Sequence, residues 1–161
     1  MSAGLVFNIF NVCLAGNLPP QGCVSVIVED HGRYLLLRRP GGRLVFPGGF
    51  MRWREHPMQT AQREFQEETG LQLAVHHLVA CYAHASENVL SMSTLTLVYC
   101  GEICGGEMRD TVEGRPSWID EASLLKKIDS RYGTMLRDYR EQRDRRVLCA
   151  TSVHDVREEN L

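Results

Sequence analysis

Residues 49–71 read GFMRWREHPMQTAQREFQEETGL. Pro57 suits the first turn of a helix, where its missing N–H is no loss. Gly70 is the residue type that stops one, so a helix over residues 57–69 is predicted. At about 100° per residue, Glu67 lies roughly 60° to one side of Glu64 and Glu68 roughly 40° to the other. Three carboxylates therefore share one face within a single turn. Met58, Ala61 and Phe65 form an adjacent apolar stripe that can bury against a sheet, so the acidic face is aimed beside the core. Like charges four apart destabilise a helix by about a few tenths of a kcal/mol. A hard divalent cation offsets that repulsion, and carboxylate oxygens are the ligands Mg²⁺ and Mn²⁺ prefer. On its own, however, E-x-x-E-E is more often a solvated helix face.

Working outward, residues 23–29 (CVSVIVE) are β-branched and read as a strand. Asp30-His31-Gly32 is a turn, and residues 33–39 (RYLLLRR) return to make a hairpin. Pro40-Gly41-Gly42 breaks it, and residues 44–46 form a short strand before Pro47-Gly48-Gly49. Downstream, residues 71–85 and 91–103 read as strands joined by a polar loop containing Ser86, Glu87 and Asn88. Gly105-Gly106 and Gly114-Arg115-Pro116 mark loops, and Trp118-Ile119 is a short strand. Residues 123 to about 146 read as a helix, broken at Gly133. Strands and helices mixed in this order predict an α+β domain layered α/β/α. The 161 residues leave room for one core. The expected organisation is one domain over 1–161, with an N-terminal extension at 1–21, a core at 22–125 and a helical segment at 126–161.

Lysine and arginine number 18, aspartate and glutamate 20, a net charge of −2. That balance gives no pull toward nucleic acid or anionic membrane, and neither is expected as a partner. No charged residue precedes Glu29. Residues 5–14 (LVFNIFNVCL) are too short to span a bilayer and lack the basic flank of a secretory leader. A small packing helix or strand is expected there, with the contact surface of a homodimer as the other use. The six cysteines contain no CxxC spacing, which suits free thiols in a reducing cytoplasm. Arg137, Arg140, Arg143, Arg145 and Arg146 alternate with Asp138, Glu141 and Asp144, the pattern of a self-paired solvated helix.

The stretch at 49–71 also matches every fixed position of a known pattern, G-x5-E-x7-R-E-U-x-E-E-x-G-U with U apolar. It supplies Gly49, Glu55, Arg63-Glu64, Phe65, Glu67-Glu68, Gly70 and Leu71. The chain thus resembles the Nudix hydrolases (MutT-like), over roughly residues 22–125. The resemblance implies a mixed β-sheet between helices, and cleavage by water of the diphosphate linkage in a nucleoside diphosphate joined to a group X. The cofactor implied is Mg²⁺ or Mn²⁺, because bare carboxylates would repel a polyanionic substrate. Glu64, Glu67 and Glu68 would be the metal ligands, joined by the carbonyl of Gly49. Arg63 would orient carboxylates such as Glu55 or Glu67 through paired hydrogen bonds, with Glu55 in a supporting role. Many family members have Gly before the first box glutamate and Thr, Ser or Asp after it. Arg54 and His56 stand there instead. His56 is a poorer N-cap than Ser or Asp, so an altered loop is expected before the helix.

Glu113, in a segment (EGRP) resembling the E-G-x-P of MutT-type enzymes, is the first candidate general base, ahead of Glu64 and Glu87. Arg38 and Arg39 are candidate phosphate contacts. Phe46, Phe50, Trp53, Tyr82 and Tyr99 are candidate ring-stacking residues, with core packing the commoner fate of any one of them. Trp118 is expected to pack beneath the site. The substrate could be a nucleoside triphosphate, ADP-ribose or a nucleotide sugar. The proline that ADP-ribose pyrophosphatases often carry downstream of the box is missing, as is the tyrosine of diadenosine polyphosphate hydrolases. The alternative to an enzyme is a non-catalytic Nudix-like nucleotide sensor, but such proteins commonly lose box carboxylates and this box is intact.

Overall fold

A computed structural model describes residues 3–16, 18–88 and 90–158, with side chains described from Gly4 through Arg145. The readings made for the side chains of Arg146 and Cys149 lie outside the described residues. No disulfide joins the described cysteines.

The centre of the fold is β1 (Gln21–Asp30), which runs parallel to β5 (Thr94–Gly106) from Gln21↔Thr94 to Val28↔Gly101. β4 (Leu71–His84) lies antiparallel on the far side of β5, with three register shifts. β1 turns through His31 and Gly32 into β2 (Arg33–Arg38). β2 pairs along its whole length with β6 (Arg115–Asp120), and at its end with β3 (Leu44–Val45).

The period-two alternation of β1 decides the layers. Val24, Val26 and Val28 face one side, where they pack with Ala61 and Phe65 of α2 (Pro57–Thr69). Ile27 faces the other, with Val98, Leu124, Met135 and Leu136. Leu124 comes from α3 (Glu121–Lys127), and Met135 and Leu136 from α4 (Ser130–Glu158). The mixed sheet is thus covered by helices on both faces, the layered α+β architecture expected.

Boundaries differ from expectation in two informative places. α2 does begin at Pro57, but His56 is a competent cap. Its Nδ1 accepts from the Met58 N–H at 3.2 Å, while the Gln59 side chain accepts from the His56 N–H at 2.9 Å. An imidazole acceptor and a glutamine thus complete a capping box. The disturbance falls two residues earlier, at Arg54, whose φ is +62°. The second difference is the C-terminal helix, which breaks at Ile128–Asp129 rather than at Gly133. Asp129 Oδ1 accepts from the Arg131 N–H at 3.0 Å and so starts a new helix. Gly133 sits inside the first turn of α4, its N–H bonded to the Asp129 carbonyl.

α4 is also less self-contained than its charge pattern suggested. Arg143 reaches Glu29 on β1 at 2.8 Å, Arg140 reaches Glu121 at 3.1 Å, and Tyr82 donates to Asp138 at 2.5 Å. The uncharged N-terminal segment forms α1 (Ala3–Cys13). Asn8 donates to the Ser91 carbonyl at 2.8 Å, and Ile9, Phe10 and Val12 stay exposed. Among the described residues no helix is long and apolar enough to cross a membrane.

Candidate active site

The apolar stripe of α2 seats the helix on β1, which turns its acidic face toward the segment Pro47–Arg52. That segment is fixed to the sheet by three backbone bonds: the Val26 N–H to the Pro47 carbonyl (2.8 Å), the Val24 N–H to the Gly49 carbonyl (2.9 Å) and the Met51 N–H to the Gly22 carbonyl (3.0 Å). A side chain at Gly48 (φ +153°) would meet the Val24 carbonyl at 2.2 Å, and one at Gly49 would meet the Glu64 carboxylate at 2.5 Å. Glycine is what lets backbone and carboxylate approach this closely.

Two arginines organise the five carboxylates. Arg63 holds Glu55 with a fork, Nε to Oε1 at 2.7 Å and Nη2 to Oε2 at 2.8 Å. Its Nη1 also reaches Glu64 at 2.5 Å and Glu67 at 3.1 Å, and its Nη2 the Phe50 carbonyl at 3.1 Å. Glu55 accepts further from the Arg52 N–H and the Thr60 hydroxyl. Arg63 first, then these bonds, hold its carboxyl down at about 2. Arg63 therefore orients two box carboxylates while Glu55 fixes Arg63.

Arg39 plays the corresponding part at Glu68. Its Nη2 donates to Glu68 at 2.6 Å, and its Nη1 donates to both the side chain (2.8 Å) and the carbonyl (2.9 Å) of Glu113. Glu68 also accepts from the Gly48 N–H at 2.8 Å. Its side chain is only 1% exposed. Burial outweighs both bonds and pushes this carboxyl up to about 7, while Arg39 holds that of Glu113 below the usual range.

Gly48, Gly49, Phe50, Met51, Arg52, Arg39, Glu64 and Glu113 line a cleft of ≈ 390 Å³. A second pocket of ≈ 200 Å³ shares Gly48, Gly49 and Phe50 with it and continues to Phe46, Arg131, Tyr132 and Thr96. Phe46 meets Tyr132 edge-on at 5.9 Å. Five carboxylates against Arg39, Arg63 and Arg52 leave the site an excess of negative charge. The carboxylates are turned to their arginines, and among the described residues no three acidic, His or Cys side chains converge as an ion-holding group.

Of the residues singled out from sequence, Gly49, Glu55, Arg63, Glu64, Glu67, Glu68, Arg39 and Glu113 are brought together. Arg38 ends β2 exposed, outside the cleft lining, and Glu87 lies exposed on the β4–β5 loop. Trp118 packs on the α2 side of the sheet, with the Arg33 guanidinium 5.6 Å over its ring. Sequence reasoning missed Arg52, which pairs with Glu67 at 3.1 and 3.2 Å, and the α4 residues Arg131 and Tyr132. The two α4 residues stand 60 and 61 positions beyond the box and carry no local signal.

The model of the NUDIX domain matches residues 19–139. A "MutT-like protein" of Streptomyces ambofaciens is 30% identical over 125 residues, 74% of this chain and 78% of that one. An "ADP-ribose pyrophosphatase" of Methanocaldococcus jannaschii is 25% identical over 126 residues, 76% and 74% of the two chains. Among solved structures, a NUDIX hydrolase from Nitrosomonas europaea superposes with a TM-score of 0.69 at 21% identity, covering 77% of this chain and 90% of that one.

Proposed function

The chain belongs to the NUDIX family, whose hydrolases act on pyrophosphate bonds, and from that premise we propose that it hydrolyses the diphosphate linkage of a nucleoside diphosphate joined to a group X. Water and nucleotide-X would give nucleoside monophosphate and phospho-X. The observation that carries this reading is the placement of Glu64 and Glu68 against the glycine backbone at 48–49, with Glu67 tied to Glu64 through Arg63, beside a cleft with excess negative charge.

The donor set is all oxygen, which fits Mg²⁺ or Mn²⁺. Glu64, Glu67, Glu68 and the Gly49 carbonyl, which keeps a second lone pair beside its bond to Val24, would hold it. When bound, the ion supplies charge neutralisation and a more acidic water. Arg63 keeps Glu64 and Glu67 in register with each other, and Glu55 keeps Arg63 in place. Arg39 holds Glu68 against Gly48. Glu64 and Glu113 both line the cleft, and each is bonded to an arginine, Glu64 to Arg63 and Glu113 to Arg39. Glu64, which lies against Gly49 where the ion would be held, is assigned to take the proton from water. The pocket of Phe46 and Tyr132 takes the nucleobase, and the whole chain acts as one domain.

The test is a turnover screen of nucleoside triphosphates, ADP-ribose, nucleotide sugars and dinucleoside polyphosphates with Mg²⁺ or Mn²⁺. Turnover of at least one is expected, with kcat lowered by about 10²–10⁴-fold in Glu64→Gln and weaker Mn²⁺ binding in Glu67→Gln by electron paramagnetic resonance. A folded protein that turns over none of them, or a Glu67→Gln variant that binds Mn²⁺ as tightly as the parent, would sink the reading.

A further inference from the structure

We propose that the group X is itself ring-bearing and anionic, as a second nucleotide is, and that Trp53 receives its ring while Arg52 and Arg54 receive its charge. The inference rests on the hydrolase reading above and deepens it.

The two tryptophans of the chain are treated in opposite ways. Trp118 is half-buried beneath the Arg33 guanidinium. Trp53 is 91% exposed and has no ring or cation contact among the described residues. Leaving an indole in water forgoes the burial that most aromatic side chains find. The segment that carries it is nonetheless held firmly. The Arg52 N–H donates to the Glu55 carboxylate, the Glu55 N–H donates back to the Arg52 carbonyl at 3.2 Å, and the Phe50 carbonyl accepts from Arg63. The indole is thus presented on a fixed turn.

The charges beside it point the same way. Arg54 occupies left-handed backbone, φ +62°, where a glycine would be relaxed and an L side chain rarely sits. Its guanidinium makes no ion pair among the described residues that would offset that conformation. Arg52 lines the cleft, and its partner Glu67 is itself exposed, so this guanidinium can exchange a carboxylate for a phosphate. An indole face accepts any base ring, and a guanidinium fork fits phosphate.

Position completes the case. The Phe46–Tyr132 pocket adjoins the acidic cleft through Gly48, Gly49 and Phe50, and the cleft extends to Arg52, one residue from Trp53. A ring-lined pocket and an acidic cleft follow one another from Phe46 to Arg52, and the exposed indole is carried by the next residue.

The experiment compares kcat/KM for a dinucleoside tetraphosphate with that for the matching nucleoside triphosphate, in the full chain and in Trp53→Ala, Trp53→Phe and Arg54→Gly. In Trp53→Ala the ratio should fall about tenfold, chiefly through KM, the loss expected for one stacked base. Trp53→Phe should restore most of it, and Arg54→Gly should lower the ratio about threefold. In a Trp118→Phe background, where Trp53 is the remaining indole, a methylene-bridged dinucleoside analogue should quench fluorescence and a methylene-bridged triphosphate should not. Turnover with an unchanged ratio and no quenching overturns this inference while leaving the hydrolase intact. A dimer that Trp53→Ala dissociates, with the ratio unchanged, overturns it in favour of an interface. Absence of turnover with either compound, with dinucleoside quenching retained, counts against the hydrolase reading instead.

Discussion

The Arg63 cluster and the Arg39 cluster are built from the same parts and end in opposite electrostatic states. Each has one guanidinium spanning more than one glutamate at 2.5–3.1 Å. Glu55, gripped by a fork and two further donors, is held down at about 2; Glu68, with two donors in a dry position, is pushed up to about 7. A salt bridge drawn between two residues therefore does not say which way a carboxyl has moved. Dehydration and the number of donors decide it. One cluster is a fixed scaffold, the other a carboxyl balanced between its two protonation states.

The contrast can be broken most strongly at Arg39. Arg39→Met leaves Glu68 buried without its cation and should destabilise the protein by about 3 kcal/mol near pH 9, where folded Glu68 is ionised. The loss should shrink below pH 5, where Glu68 is protonated, and Arg39→Met with Glu68→Gln should recover most of it in urea melts. Next in size is the pH response of the metal-free protein. Between pH 4.5, where an unfolded glutamate ionises, and about 7, where folded Glu68 does, the folded state holds the extra proton. Stability should therefore fall as pH rises through that window, by on the order of 2 kcal/mol. Glu68→Gln should flatten the slope. Glu55 gives the opposite sign: its contribution is complete above pH 4.5 and lost as pH falls toward 2. Urea midpoints measured from pH 2 to 8 would show two slopes of opposite sign, and a single monotonic curve would refute the contrast. Smaller still, Arg63→Lys keeps the charge but loses the fork, and should lower kcat about tenfold by loosening Glu64 and Glu67. Smallest is His56→Ala, expected to cost about 1 kcal/mol by thermal melting through the lost cap, with little change in kcat.

What could be read from sequence follows how far apart the interacting residues lie. The helix at 57–69 and its acidic face are set by spacings of three and four and are found as expected; of the apolar stripe, Ala61 and Phe65 are buried, while Met58, in the first turn, stays exposed. The partnership of Arg63 with Glu55 spans eight residues and belonged to the same pattern. Arg39 was assigned to phosphate because a strand-end arginine beside a glycine loop carries no sign of what it will meet. Its partners are 29 and 74 residues away and arrive only when β2, α2 and the 113 loop are assembled. The break at Asp129 is legible in principle, since Asp followed by Ser-Arg is a cap, but Gly133 is the stronger helix-breaking signal in the same stretch. His56 shows the converse: an acceptor nitrogen does the work usually given to a hydroxyl or carboxylate.

The bond from the Val24 amide to the Gly49 carbonyl joins the central strand to the lip of the cleft. In terms of cooperative unfolding, it ties the site to the central strand, so that the two are expected to open together rather than the site opening as a separate loop. The Val24 amide proton should exchange with solvent at the rate of global unfolding. A peptide of residues 49–71 would keep the letters of the acidic helix without its cleft. Catalytic competence and the integrity of the sheet are then one quantity, and a substitution that weakens β1 will be seen as lost activity before any residue of the site is touched.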